Sequence, residues 1–275
     1  MEKKTLSVRI DLDALTAVPS NAIWRSTQLV AYGFQAADEL HKAVNEGRMP
    51  DELEGIHGTW MNLAPRAKID SAVREEFERW CLVNALRDPI EAINWFLEEA
   101  RHVCAIYQLG KRESFTAEEY FAFEEFAKKF HEYGLPPKLD YLQKQFGVNG
   151  GGELTEHLKS INDTRSCLVH RRGVVEPRDA NVDGGLRVSW RTLTMQAGNE
   201  NESRAIGPGS LVKQGEIVRL VTEDHARTFA VGERITFTAQ EFIEICLSLQ
   251  LFVNEIIRSI KTYGQTSGKP ANTSG

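Results

Sequence analysis

No stretch of the 275-residue chain approaches the roughly 18 uncharged apolar residues that a membrane span requires. Met1-Glu2-Lys3-Lys4 leads into alternating residues instead of a continuous apolar run, so the sequence predicts neither a span nor a signal peptide. Cysteine is scarce. Cys81, Cys104, Cys167 and Cys246 lie far apart and form no Cys-x-x-Cys pair, which argues against a disulfide framework or a zinc site and predicts reduced, buried thiols in a cytoplasmic protein. An excess of positive charge is also missing: the net charge is −6 and the pI about 5.7. The whole molecule is therefore no polycation for nucleic acid, though a local basic cluster can still grip phosphate. Gly150-Gly151-Gly152 lacks the Lys-Ser/Thr of a phosphate loop, no Gly-x-Ser-x-Gly occurs, and no internal repeat is found. No metal or other cofactor is expected.

What is present is mostly helical periodicity. Leu6, Val8, Ile10 and Leu12 alternate with polar residues as in a half-buried strand. Pro19-Ser20-Asn21 would end that strand, and a helix is predicted from Ala22 to about Glu46. Gly47 to Pro65 reads as a loop carrying Trp60, Met61 and Leu63. Ile69, Val73, Phe77, Trp80 and Val83 form the inner stripe of a further helix, after which Asp88-Pro89 carries the signals of a fresh helix start. Thr116 with Glu119 marks another start, and Pro136-Pro137 a third.

After Gly173 the pattern changes to strands. Leu186, Val188 and Trp190 alternate with polar residues, Ala197 to Ser210 reads as a mobile loop, and further strands are predicted at Glu216–Thr222, Arg227–Val231 and Arg234–Phe237. Thr238 or Ala239 opens a long last helix. The expectation is a mainly α antiparallel bundle with a small antiparallel sheet inserted at about residues 174–238, all in one domain over residues 1–263. Residues 264–275 form a polar tail predicted to be disordered.

The densest chemistry sits in Asn162-Asp163-Thr164-Arg165-Ser166-Cys167-Leu168-Val169-His170-Arg171-Arg172-Gly173. Leu154, Leu158, Ile161 and Leu168 repeat at helical spacing, and Arg165 occupies the missing member of that stripe. An arginine there must be paired or aimed into a cleft, because an unpaired buried charge costs several kcal/mol. His170 follows five residues later, about 140° around an ideal helix, so the two side chains meet only through fraying of the helix or across two copies of it. Histidine can carry a proton in either direction near neutral pH, and arginine can hold a phosphate through two parallel hydrogen bonds. The structural alternative pairs Arg165 with a buried acid such as Glu98 or Glu99 and leaves His170 and Arg171 complementing a helix C-terminus.

Arg165-Ser166-Cys167-Leu168-Val169-His170, followed by Gly-Val-Val near a helix end and by one more long helix, resembles the motif of the HEPN superfamily. That resemblance implies a helical bundle that dimerises and sets two Arg-x4-His motifs at a shared cleft. In many members the cleft is a metal-independent ribonuclease of toxin–antitoxin or anti-phage systems. Carried onto this chain, it implies Arg165 and His170 as the catalytic pair acting on single-stranded RNA. Ser166 takes the polar position where asparagine is the commoner occupant. Asn162, Arg171 and Arg172 would touch the substrate, and a homodimer and an antitoxin or other protein partner are implied. Non-catalytic members that bind a nucleotide, RNA or a protein are the alternative, and a third reading makes the β-insertion the working surface.

Overall fold

Asp11 opens the first helix: its carboxylate accepts the N–H groups of Asp13 and Ala14 at 3.1 and 3.0 Å. From that cap, α1 runs over Leu12–Asn45. The structure is a computed structural model that describes residues 10–49, 52–53, 67–68, 70–110, 116–199, 202–207 and 209–267. Most of the expected N-terminal strand, the aromatic loop with Trp60, and the final residues of the tail lie outside these. Within them, Leu12 is helical and Pro19 lies inside α1, so the expected break at Pro19-Ser20-Asn21 does not occur. The short strands β1 (Glu52–Leu53) and β2 (Ala67–Lys68) pair antiparallel.

Helix α2 spans Ser71–Leu109, with Asp70 accepting the Val73 N–H at 3.0 Å and Pro89 in its interior. Asp88 is not a cap. Its carboxylate instead takes Arg25 of α1 at 2.8 Å, and the helix propagates through the proline. Two predicted starts do form. Thr116 and Glu119 exchange side-chain and backbone hydrogen bonds at the head of α3 (Ala117–His131), and α4 (Leu135–Phe146) begins on its two prolines. Helix α5 covers Gly152–His170. In α6 (Ala239–Ser267), Thr238 and Glu241 form a second capping box, with bonds of 3.1 and 2.7 Å. Helix α6 continues past Gly264 to Ser267, so the polar end begins later than its composition predicts.

Between α5 and α6 lies one three-stranded antiparallel sheet in the order β4-β3-β5. Strand β3 (Gly185–Gly198) pairs with β5 (Ile217–Ala230) along its whole length. The two strands predicted within that range are thus one. The expected loop at Ala197–Ser210 contains β4 (Ser203–Ile206), which binds the far end of β3. Arg234–Phe237 is reduced to a single bridge between Arg234 and Val174. The fold is therefore mainly helical with a small antiparallel sheet before the last helix, and no helix among the described residues is long and apolar enough to cross a membrane.

The chain divides into two compact units. One comprises the chain up to Ile23, Pro89–Lys159 and the chain from Leu247. Its core includes Ile93, Phe96, Leu97, Phe130, Leu142, Phe252 and Ile256. Two cations are buried with them. Lys138 is fully enclosed and donates to Asn94 Oδ1 at 3.0 Å and Glu98 Oε1 at 2.6 Å, while His131 Nδ1 lies 2.9 Å from Glu98 Oε2. Arg101 lies over the Phe123 ring, 4.6 Å from its centroid, with Phe126 and Phe130 beside it. Burial lowers its pKa from the ordinary guanidinium value.

The other unit comprises Trp24–Asp88 and Ser160–Cys246. Val30, Cys81, Leu86, Ile161, Leu168, Leu186, Val188, Trp190, Phe229, Phe242 and Ile245 fill its interior. Val73, Phe77 and Trp80, expected to face inward, are exposed, and Cys81, Leu82, Ala85 and Leu86 take the inner line of α2 instead. Two stripes were compatible with helical spacing here, and the smaller residues allow α1 to approach: a Cβ on Gly33 would come within 2.9 Å of Cys81 Sγ.

Candidate functional site

The carboxyl half of α5 belongs to the second unit and is pinned to the sheet from one side. Ser160 Oγ accepts the Ser189 N–H at 3.0 Å, and Thr164 Oγ1 donates to the Ser160 carbonyl at 2.8 Å. One turn later, Asn181 Nδ2 reaches Asp163 Oδ2 at 3.4 Å, and Asn181 also exchanges bonds with the backbone of Arg187. Ile161, Cys167 and Leu168 are buried, as the stripe requires. Arg165, on the same line, is half-buried, and its Nε is sealed from solvent.

The helix ends abruptly after His170. Arg172 and Gly173 both take left-handed backbone conformations, with φ of 53° and 74°, and the Gly173 N–H returns to the Cys167 carbonyl at 3.2 Å. A Cβ at Gly173 would lie 3.1 Å from Leu168 Cδ2, so both conformation and space favour glycine there. The chain is then held by the one segment that follows β5: Ile235 N–H bonds to the Gly173 carbonyl at 2.8 Å, and Val175 N–H to that of Glu233 at 3.0 Å. Cys167 Sγ lies 3.3 Å from the Val174 carbonyl. Burial, reinforced by Asp179, pushes that thiol up to about 12, so it is a packed side chain and no nucleophile.

These constraints place the six candidate residues differently. His170 is exposed on the last helical residue. Asn162 and Ser166 are half-buried. Ser166 contributes its carbonyl, which accepts Arg171 Nη1 at 3.4 Å. Arg171 is turned back into the fold, with Nε 3.0 Å from the nearly buried carboxylate of Asp179. Asp179 closes the single 3-10 turn Pro177–Asp179 by accepting the Glu176 N–H at 3.0 Å, so one carboxylate caps the turn and holds the arginine. Arg172 is exposed.

Because Arg165 and His170 both lie within the regular span of α5, fraying does not bring them together. Five residues of ideal helix separate their directions by about 140°. Glu98 is engaged in its own unit by Lys138 and His131. Asp179 is the neighbour of the candidate site that spacing did not reveal. Its signal was local: Glu176-Pro177-Arg178-Asp179 is a capped turn placed directly after the motif. Arg234 is a second such neighbour. With Arg172 it adds to the pull on Glu76, whose carboxyl is lowered chiefly by its hydrogen bond to Arg79.

Among the described residues, no three of His, Cys, Asp or Glu gather as a ligand set. No family model, curated protein or solved structure matches the chain.

Proposed function

We propose that the protein is a HEPN-like, metal-independent endoribonuclease that cleaves single-stranded RNA as a homodimer in the cytoplasm, in a toxin–antitoxin or anti-phage setting. The observation that supports this reading most is the divergence of Arg165 and His170 on one unbroken helix that ends at an exposed histidine. A second copy of the chain supplies the missing half of the constellation, two arginines and two histidines around one phosphate. Cleavage needs a base for the 2′-hydroxyl, an acid for the departing 5′-oxygen and a cation for the phosphorane. His170 serves the proton transfers and Arg165 the charge. With Arg171 engaged by Asp179, contact to the flanking RNA backbone falls to the exposed Arg172, while Asn162 and Ser166 line the approach. An antitoxin or other protein partner would regulate the site by covering it.

The burial of Arg165 Nε favours a second reading, a HEPN-like module that binds nucleotide, RNA or protein without turnover. One experiment separates the two. Wild-type protein should cut single-stranded RNA in EDTA, and His170→Ala should lower that rate by about 10²- to 10⁴-fold with an unchanged melting curve. RNA retained but never cut, across a broad panel, selects the binding module. Neither cutting nor retention removes the ribonuclease and the RNA-binding form of the module, and leaves only nucleotide or protein as its ligand.

A further inference from the structure

Strand β5 (Ile217–Ala230) has one edge on β3, and among the described residues nothing pairs with the other. Sheet edges of this length are normally blunted by proline, by charged side chains (lysine above all), by a bulge or by a covering segment, since an open row of N–H and C=O groups is a template for another strand. Strand β5 carries charges of both signs, which a second strand can meet with its own. Ile217–Ala230 contains no proline and no lysine, and its register with β3 is unbroken over all 14 residues. The first half of β5 is also exposed on its faces. Leu220, at 64% exposure, stands directly opposite Met195 of β3, at 45%, with Val218 and Leu193 on the same side of the sheet.

The charges of this half choose the occupant. Arg219 and Glu223 lie on one face of the strand, four residues apart and both exposed, and neither has an ion partner among the described residues. They are symmetric about Val221. A second β5 running antiparallel with the two Val221 residues opposite would set each Arg219 across from Glu223 of the other copy. It would also place Leu220 beside Thr222 of the other copy. A register shifted so that Val221 faces Glu223 would instead set Arg219 across from His225 and lose the ion pairs.

We propose that the open edge of β5 is a self-association surface: two copies join β5 to β5 about a two-fold axis at Val221, making one continuous six-stranded antiparallel sheet. The surface is independent of Arg165 and His170. Its test is sedimentation over a range of concentrations, combined with a register-specific cross-link. Reversing one charge, Arg219→Glu, should weaken the association about tenfold or more by setting Glu against Glu twice, and the exchange R219E/E223R should restore it. Val221→Cys should form a disulfide between copies under mild oxidation, because residues directly opposite in an antiparallel pair have Cα atoms roughly 4.5–5.5 Å apart. A protein that stays monomeric overturns the proposal. So does a dimer indifferent to R219E, a double exchange that fails to restore association, or a Val221→Cys protein that does not cross-link.

Discussion

The two units treat their charges in opposite ways. In one, Lys138 is enclosed and given two oxygen partners, Asn94 and Glu98, and Arg101 is laid over phenylalanine rings. In the other, His170 and Arg172 are left in solvent at a helix end, while the neighbouring Arg171 is fastened to Asp179. A buried cation held by oxygens or aromatic rings in its own core fixes one conformation and is withdrawn from any ligand in solvent. An exposed one adds little to stability and keeps its chemistry available. The difference sets the enclosed framework charges apart from the exposed ones of the candidate site.

Substitutions at the two places should therefore move different observables. The largest effect is the loss of cleavage in His170→Ala, with stability preserved; a fall in melting temperature of comparable weight would erase the contrast. Next, Lys138→Ala should destabilise the fold by about 3–5 kcal/mol, because Glu98 and Asn94 lose their buried partner. Denaturant titration reads this, and adding Glu98→Gln to Lys138→Met should recover part of it. Any RNA cleavage should persist in whatever fraction stays folded. Asp179→Ala sits between the extremes: it uncaps the 3-10 turn and leaves Arg171 partly buried with only the more distant Glu176 carboxylate, 3.8 Å from its Nε, at a cost of about 1–3 kcal/mol. If Arg171 is framework only, RNA affinity should not fall in that variant, and filter binding would show it. The smallest effect belongs to Thr116→Ala, which removes one side of the α3 capping box for about 1 kcal/mol. Since α3 supplies the rings over Arg101, a much larger loss would show that the capped end is coupled to the buried cation.

The site was legible in the sequence as a pattern and not as an arrangement. Arg165 stood out because it interrupts Leu158, Ile161 and Leu168, three positions that the structure buries. The abrupt end of α5 was readable from Gly173, which takes the left-handed conformation. The role of Arg171 was not, since four arginines lie within residues 165–178 and spacing cannot say which one an acid will claim. That choice depends on how the chain folds back after Gly173, where Ile235 and Glu233, some 60 residues later, fix the backbone.

The same division holds for the fold. By itself the sequence determined the helix starts at Thr116, at Pro136-Pro137 and at Thr238, along with the change from helical to strand periodicity after Gly173. Each of these is a matter between residues three or four apart. Only the tertiary structure decided that α1 and α2 would continue through Pro19 and Pro89. Packing along both helices outweighs the single backbone bond that each proline removes. It alone turned Phe77 and Trp80 outward in favour of Cys81 and Ala85, made β5 a single strand on β3, and recruited Ser203–Ile206 as β4. Those outcomes rest on partners far away in the chain, and local spacing carries no record of them.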